Sequence, residues 1–474
     1  MADYAFASAA AEIWLLAASC LLLIAATMKI SPRLLHYASI AGLLIAAAIV
    51  LMIWPTARVE TYRGLFVVSE FVSLLKMGVL LAAAGALAYC ADYLNERSLL
   101  RGEYGALALF AVQGMLLLIA ANSFITLYLG LELMSLSLYA MIAMRRDNSA
   151  AVEAAMKYFV LGALASGLLL YGMSMLYGAT GSLFIPQVAE AIADADDEAA
   201  AVLALGLVFV VVGCAFKLGA APFHMWLPDV YHGAPVAVTL FIGSAPKIAA
   251  LAMLLRMLAE AAPSLVADWS GLLAVVAVAS LAIGNVAAIA QENLKRMLAY
   301  SAIAHSGFVL LGVIAGSDSG YAAATFYIFA YALMTVGGFG MIVLLSRVGA
   351  DVDRLTDLRG MAQRNGVVAA LIAILMLSMA GIPPVVGFYA KFAVIEAVIA
   401  AGWLWLAVVA VLFSVVGAFY YLRIIKLMYF DEPETGSSAV RIGTPYILIA
   451  AANGAMFVLL GILPGALMSV CIRS

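Results

Sequence analysis

Charge is what this sequence has least of. Only 11% of its 474 residues are Asp, Glu, Lys or Arg, against about 25% in an ordinary soluble domain. Hydrophobic residues make up 67%, and the mean hydropathy is +1.12. So little charge cannot solvate a globule of this length, which excludes a soluble enzyme, a disordered chain and a nucleic-acid binder. The formal net charge of −3 leaves no basic footprint for nucleic acid either. Cysteine is sparse and scattered: Cys20, Cys90, Cys214 and Cys471 stand singly in or beside apolar runs. With no Cys-x-x-Cys or Cys/His pair at ligand spacing, zinc, iron–sulfur and disulfide readings are weak. The Walker A and dinucleotide glycine patterns are missing too. The expectation is a chain with no nucleotide, metal or redox centre of its own. A basic start of the signal-peptide kind is also lacking, with Asp3 and Glu12 in its place, so the first apolar run is expected to be a retained helix.

What is present is a series of apolar runs, each near the ~20 residues that a spanning helix needs. The sequence predicts an all-α polytopic membrane protein with about fourteen transmembrane helices. They fall at 11–29, 36–54, 69–90, 104–121, 123–144, 152–178, 201–232, 234–256, 269–290, 298–316, 321–346, 366–398, 403–428 and 445–468. Connections are short, except an acidic segment at 187–199 and polar ones at 347–365 and 430–444.

The cations support this register. Fifteen follow odd-numbered spans: Lys29, Arg33, Arg97, Arg101, Arg145, Arg146, Lys295, Arg296, Arg347, Arg354, Arg359, Arg364, Arg423, Lys426 and Arg441. Three follow even-numbered spans: Arg58, Arg63 and Arg256. Under the positive-inside rule the first set is cytoplasmic and both termini face the other side, the periplasm of a bacterial inner membrane. The acidic cluster Glu190, Asp194, Asp196, Asp197 and Glu198 then lies on that outer side and reads as a solvated segment.

Apart from Arg473 at the C-terminal tip, the remaining cations fall within spans: Lys76, Lys157, Lys217, Lys247 and Lys391. All five are lysines. Arginine cannot release its proton in a protein, whereas a buried lysine can. Two spans also contain helix breakers. The seventh has Lys217-Leu218-Gly219-Ala220-Ala221-Pro222-Phe223-His224, and the twelfth has Ala380-Gly381-Ile382-Pro383-Pro384 followed by Gly387 and Lys391. A proline kink without function is the plainer reading of either break alone. A matched pair, each with a lysine, points instead to repeated transporter-like units, because irregular backbone at membrane depth needs protein or a wet cavity around it. The breaks lie five spans apart. This divides the chain into helices 1–3 (1–103), a five-helix repeat at 104–256, a second, inverted five-helix repeat at 269–428 and helix 14 (445–474).

Intramembrane ionisable groups are functional candidates because each is costly to bury. Glu132 sits mid-span in Leu129-Gly130-Leu131-Glu132-Leu133-Met134, with no loop nearby. Lys217 is its expected partner. Lys247 follows Pro246 in the eighth span, and Lys391 lies on the second half of the twelfth. His224 and His305 add groups that titrate near neutral pH. A lysine held by Glu132 keeps its charge; when the carboxylate withdraws, desolvation drives the proton off, Lys247 passes it on with His224 or waters bridging, and Lys391 exchanges it with the opposite surface. Lys157 could snorkel to the interface, Lys76 could pair with Glu70 or reach the interface, Asp229 and His232 could line an exit, and Glu396 reads as solvated. The 23 methionines and 21 tyrosines read as core, lipid contact or interfacial belt.

Several stretches carry a family resemblance. They are Phe216-Lys217-Leu218-Gly219 through Pro222-Phe223-His224-Met225-Trp226-Leu227-Pro228-Asp229-Val230-Tyr231-His232-Gly233-Ala234-Pro235, Asn293 to Ser301 with His305-Ser306-Gly307, Gly381-Ile382-Pro383-Pro384 with Gly387-Phe388 and Lys391-Phe392, and Tyr420-Tyr421-Leu422-Arg423. In these the chain resembles the antiporter-like membrane subunits of respiratory complex I, NADH:quinone oxidoreductase. The resemblance implies fourteen helices, two inverted five-helix repeats, and a proton path with the helix-5 glutamate at Glu132, the helix-7 lysine at Lys217, the helix-8 lysine at Lys247 and the helix-12 residue at Lys391. His224, Lys295 and His305 match further polar positions. A lysine at the helix-12 position departs from the M-type members, and the length leaves no room for the lateral helix of the L type. The resemblance further implies M-, K- and J-like membrane subunits and the lateral helix of an L subunit as partners, with FMN, iron–sulfur clusters and quinone carried by other subunits. A cation/proton antiporter subunit of the Mrp type, using the same lysines without NADH, is the alternative. A membrane anchor whose charges only specify packing is a third reading.

Overall fold

The computed structural model describes residues 6–346, 351–433, 440 and 442–473. Asp3, Arg347 and Arg441 lie outside the described residues, as do the side chains of Asp197, Glu198 and Arg473. The chain is an all-α polytopic bundle. Twelve helices among the described residues are long and apolar enough to cross a membrane, from Pro32–Met52 to Thr444–Ile462. The first and twelfth expected spans have shorter helices: Ala10–Ala26, and the pair Gly366–Ala380 and Val386–Ala400.

Helix starts are set by side-chain caps. Ser69, Ser123, Asn148, Asn293, Ser317 and Asn365 each accept a hydrogen bond from a backbone N–H of the first turn, satisfying donors that the helix itself leaves free. The helix that carries Lys247 (Val236–Glu260) is enclosed on all sides, and Leu294–Ile314, which carries His305, nearly so. These two form the centre of the bundle. Thr444–Ile462 is peripheral.

Several features differ from expectation. Between the second and third spans a two-stranded hairpin replaces a plain loop, with Val59 opposite Val68 and Thr61 opposite Phe66. The segment at 187–199 is not a simple connection. It holds the amphipathic helix Ile185–Ala193, and Asp196 caps the helix Asp197–Leu218 while Glu190, Asp194 and Asp196 stay exposed. Lys295 and Arg296 lie in the first turn of the tenth helix rather than in the loop before it, and Lys295 is buried. The eighth span bends at Ser244 (φ −104°, ψ −88°), where Pro246 starts a new helix, and its last turn, Leu255–Glu260, is a π-helix.

The two ends of the bundle are chemically distinct. At one end, segments that follow odd-numbered spans meet in ion pairs: Arg97 with Asp351, Lys295 with Asp353 at 3.0 Å, and Arg296 with Asp229 at 2.8 Å. At the other, Arg58, Asn122, Arg256 and Glu260 gather from segments that follow even-numbered spans. The charge count that placed these groups on opposite sides therefore agrees with which side chains meet.

Candidate functional site: a buried row of lysines

Both broken spans stop in the same way. In the seventh, Gly219 adopts φ +73°, its N–H bonds to the Phe216 carbonyl (3.0 Å) and the Ala220 N–H to the Ala215 carbonyl (2.8 Å). In the twelfth, Gly381 adopts φ +81°, its N–H bonds to Ser378 (3.0 Å) and the Ile382 N–H to Leu377 (3.0 Å). Each is a left-handed glycine stop that leaves the final carbonyl of its helix without a backbone partner. A cis peptide follows each: Ala221-Pro222 and Pro383-Pro384.

A lysine ammonium fills each vacancy. Lys247 donates to the Leu218 carbonyl at 2.5 Å, and Lys391 donates to the Ala380 carbonyl at 2.9 Å. Each cation therefore sits at the negative end of a half-helix, where the peptide dipoles favour it. The fit leaves no spare room, since a Cβ at Gly219 would press on the Lys247 ammonium and one at Gly381 on the Lys391 chain. Both lysines are buried. Lys247 also faces the Trp226 ring at 5.8 Å, and Lys391 faces the Phe308 ring at 4.9 Å.

Lys217, one residue before the Leu218 carbonyl, is likewise buried. It donates not to Glu132 but to the Ser135 hydroxyl, at 2.8 Å, and Ser135 donates in turn to the Leu131 carbonyl. Glu132 is on the same helix one turn earlier, and its buried Oε1 has no hydrogen-bond partner. The two expected partners thus make no salt bridge or hydrogen bond with each other, and a hydroxyl on the same helix as Glu132 holds the ammonium instead.

From Lys247 the polar row continues through Ser306, whose hydroxyl shares the Leu218 carbonyl at 2.8 Å. The neighbouring His305 is buried, with Nδ1 2.7 Å from the Tyr327 hydroxyl and Nε2 3.2 Å from that of Tyr421, which is itself 2.5 Å from Ser301. Lys391 ends the row and also donates to Ser414 at 3.0 Å. The sequence reasoning missed Ser135, Ser306, Ser414, Tyr327 and Tyr421. Two signals were available: Ser135 shares a helix face with Glu132, and Ser306 directly follows His305.

Other candidates lie elsewhere. His224 is half-buried in the turn after the first break, and no hydrogen bond joins it to a lysine; its Nδ1 is buried without a partner. Lys157 is partly exposed and binds Asp229 (2.7 Å) and Glu153 (2.8 Å), while Arg296 takes the other oxygen of Asp229. Lys295 is paired with Asp353. Glu396 is exposed. Lys76 does not reach Glu70: it pairs with Glu12 of the first helix at 2.6 Å, with both side chains about 5% exposed or less. Glu12 is therefore a buried carboxylate that the sequence reading passed over. Arg256, assigned to a loop, is also buried, so the intramembrane cations are not lysines alone. Among the described residues no group of three His, Cys, Asp or Glu side chains is placed to hold a metal ion.

Residues 121–417 match the family model described as NADH:quinone oxidoreductase/Mrp antiporter, TM. The chain is 55% identical over 471 residues to NADH-quinone oxidoreductase subunit N of Thiobacillus denitrificans, covering 99% of this chain and 97% of the relative. It superposes on a chain of respiratory complex I from Thermus thermophilus, solved with bound aureothin, with TM-score 0.83 and 33% identity, covering 97% and 98% of the two chains. A chain of the Mrp complex from a Dietzia species superposes with TM-score 0.86 at 22% identity, over 100% and 97% of the chains, which is a likeness of fold alone.

Proposed function

This chain belongs to the NADH:quinone oxidoreductase/Mrp antiporter membrane family, and from that premise we propose that it is the proton-translocating, antiporter-like N-type membrane subunit of NADH:quinone oxidoreductase. The observation that carries a transport role is the pair of matched helix stops, each with its terminal carbonyl held by a buried lysine. In this reading 104–256 and 269–428 are two inverted five-helix units, and the stops are their equivalent points. The complex sits in the bacterial inner membrane with both termini of this chain on the periplasmic side. Its partners are M-, K- and J-like subunits and the lateral helix of an L subunit. FMN, the iron–sulfur clusters and quinone belong to other subunits, and this chain moves protons only.

The mechanism uses the row as it stands. Ser135 holds the Lys217 ammonium while Glu132 waits one turn away. When the carboxylate swings toward Lys217, the pair shares a charge-assisted contact and the lysine keeps its proton. When Glu132 withdraws or is neutralised, an isolated cation in a low-dielectric interior is costly, and lysine, unlike arginine, can relieve the cost by releasing its proton. Lys247, anchored on the carbonyl beside Lys217, becomes the next acceptor once its own proton has moved on toward Lys391 and left a neutral amine. Ser306, His305 and the two tyrosine hydroxyls bridge toward Lys391, with waters completing the steps. Because neighbouring sites interact, their titration belongs to the set.

Lys217→Ala and Glu132→Ala are expected to lower proton pumping per NADH oxidised while the complex still assembles. Dye-reported proton uptake by reconstituted vesicles, alongside NADH:quinone turnover and subunit stoichiometry, reads this directly. Normal pumping in an assembled Lys217→Ala complex leaves only the anchor reading. Co-purification of the chain with FMN-bearing subunits separates the assignment from an Mrp-type antiporter.

A further inference from the structure

Arg256 has the most deeply buried side chain of the ion-paired arginines among the described residues, and the relay has no use for it. It lies on the same span as Lys247, nine residues further toward the end where Arg58, Asn122 and Glu260 gather. The eight residues between them, Ile248 to Leu255, are apolar and buried. Along this span, Arg256 is the first polar side chain met by a proton leaving Lys247 in that direction.

Its setting is built. The π-helical last turn presents the guanidinium inward, where it donates to the Ile119 carbonyl in the last turn of the fourth span at 3.1 Å. Glu260, one turn on, is 2.5 Å away on the solvent side, and Arg58 reaches the same Glu260 oxygen at 3.4 Å. Arg58 also donates to Asn122, which donates to the Gly64 carbonyl of the hairpin turn. The charged groups at this site are thus two arginines and one carboxylate.

We propose that Arg256 is a fixed positive charge that seals the far end of the 104–256 unit, so that protons reaching Lys247 pass sideways to Lys391 and do not escape through the first unit. The inference rests on the proton-row reading above. A guanidinium is always protonated and accepts no proton, so it cannot serve as a relay step. Its charge also raises the electrostatic cost for any proton moving toward it, as arginines do in other pores that exclude protons. Over the roughly 13 Å spanned by nine helical residues, a unit charge in an effective dielectric of about 20 disfavours a second positive charge by about tenfold. A lysine there would be a further relay site, which accounts for arginine at this one intramembrane position.

The test is passive proton leak across vesicles holding the intact complex, with an imposed pH gradient, no NADH and an internal pH dye. Arg256→Gln, which keeps donors for the Ile119 carbonyl but loses the charge, should raise the leak by about tenfold. Adding Lys247→Met to Arg256→Gln should return the leak to the parental level. Glu260→Gln, which leaves the arginine charge less neutralised, should leak no more than the parent. An Arg256→Gln complex as tight as the parent overturns the proposal. So does a leak that persists in the double variant, or a leak in Glu260→Gln, which remains informative should Arg256→Gln fail to assemble. Failure of the row itself would appear instead as undiminished NADH-driven pumping in Lys247→Met.

Discussion

Replacing Lys247 by methionine is expected to cut proton flux through this chain by about 10²-fold or more, the scale typical of removing a positioned proton-transfer group. Methionine is an unbranched chain one heavy atom shorter than lysine and packs well at an irregular buried site, so the loss should appear in pumping per NADH and in coupled turnover rather than in assembly. The position is unusually exposed to such a change. Among the described residues Lys247 is the only side-chain cation on the Leu218 carbonyl, and it lies on the most enclosed span. Lys247→Arg is the more searching variant. Arginine preserves the positive charge and can still donate to the carbonyl, but cannot release a proton. If the charge only caps the half-helix, Lys247→Arg should pump as well as the parent; if titration is the function, it should pump as poorly as Lys247→Met. The assay is initial proton uptake by reconstituted complex at matched NADH oxidation rates.

How much of this was legible in the sequence depends on the range of the signal. Twelve of the fourteen expected spans were legible as helices long and apolar enough to cross a membrane, because such a helix must be apolar over its whole length, while the count of fourteen and the side the termini face rest on the cation alternation. The breaks were legible because Gly219 and Gly381, with the prolines after them, mark helix ends by local chemistry. Lys217, Lys247 and Lys391 stood out because buried charge is rare. The partners of those lysines were not legible. The expectation that Lys217 pairs with Glu132 rests on opposite charge and on helices 5 and 7 sharing one repeat, whereas the hydrogen-bond acceptor of Lys217 is an uncharged hydroxyl a turn away, and serine in an apolar helix carries no sign of what it faces. The carbonyls of Leu218 and Ala380 could not be seen either, since the backbone has no sequence signature. His224 is expected to help pass the proton on from Lys247, yet it lies half-buried in the turn after the break and makes no hydrogen bond to a lysine. Arg256 was read as a loop residue because span ends are uncertain by a few residues, and the π-turn extends the eighth helix over it.

The pair Glu12–Lys76 was missed for a related reason. Glu12 lies near the chain start, where acid residues are usually solvated, and Lys76 had Glu70 a little under two turns away. In the fold, Glu12 of Ala10–Ala26 and Lys76 of Glu70–Glu96 meet at 2.6 Å beside a cavity of about 260 Å³ lined by Ser8, Trp54, Thr56 and Ser73. The lysine ammonium is also 4.6 Å from the Phe66 ring of the hairpin. Neither carboxylate oxygen makes a hydrogen bond of ordinary geometry, so the contact is chiefly electrostatic. Two charges removed from water in this way cost much of what their attraction returns, and the pair is most sensitive to losing one member. Lys76→Met is therefore expected to destabilise the packing of the first helix by about 3–5 kcal/mol, because it leaves Glu12 buried and uncompensated. The double variant Glu12→Leu/Lys76→Met should recover most of that loss, since an apolar pair of similar volume needs no counter-charge. Thermal unfolding of the detergent-solubilised complex, followed by retention of this chain, measures both. Equal loss in the single and double variants would show that the two side chains contribute separately rather than as a pair. Pumping per NADH should stay at the parental level in the double variant, because the pair lies in helices 1–3, outside the row from Glu132 to Lys391.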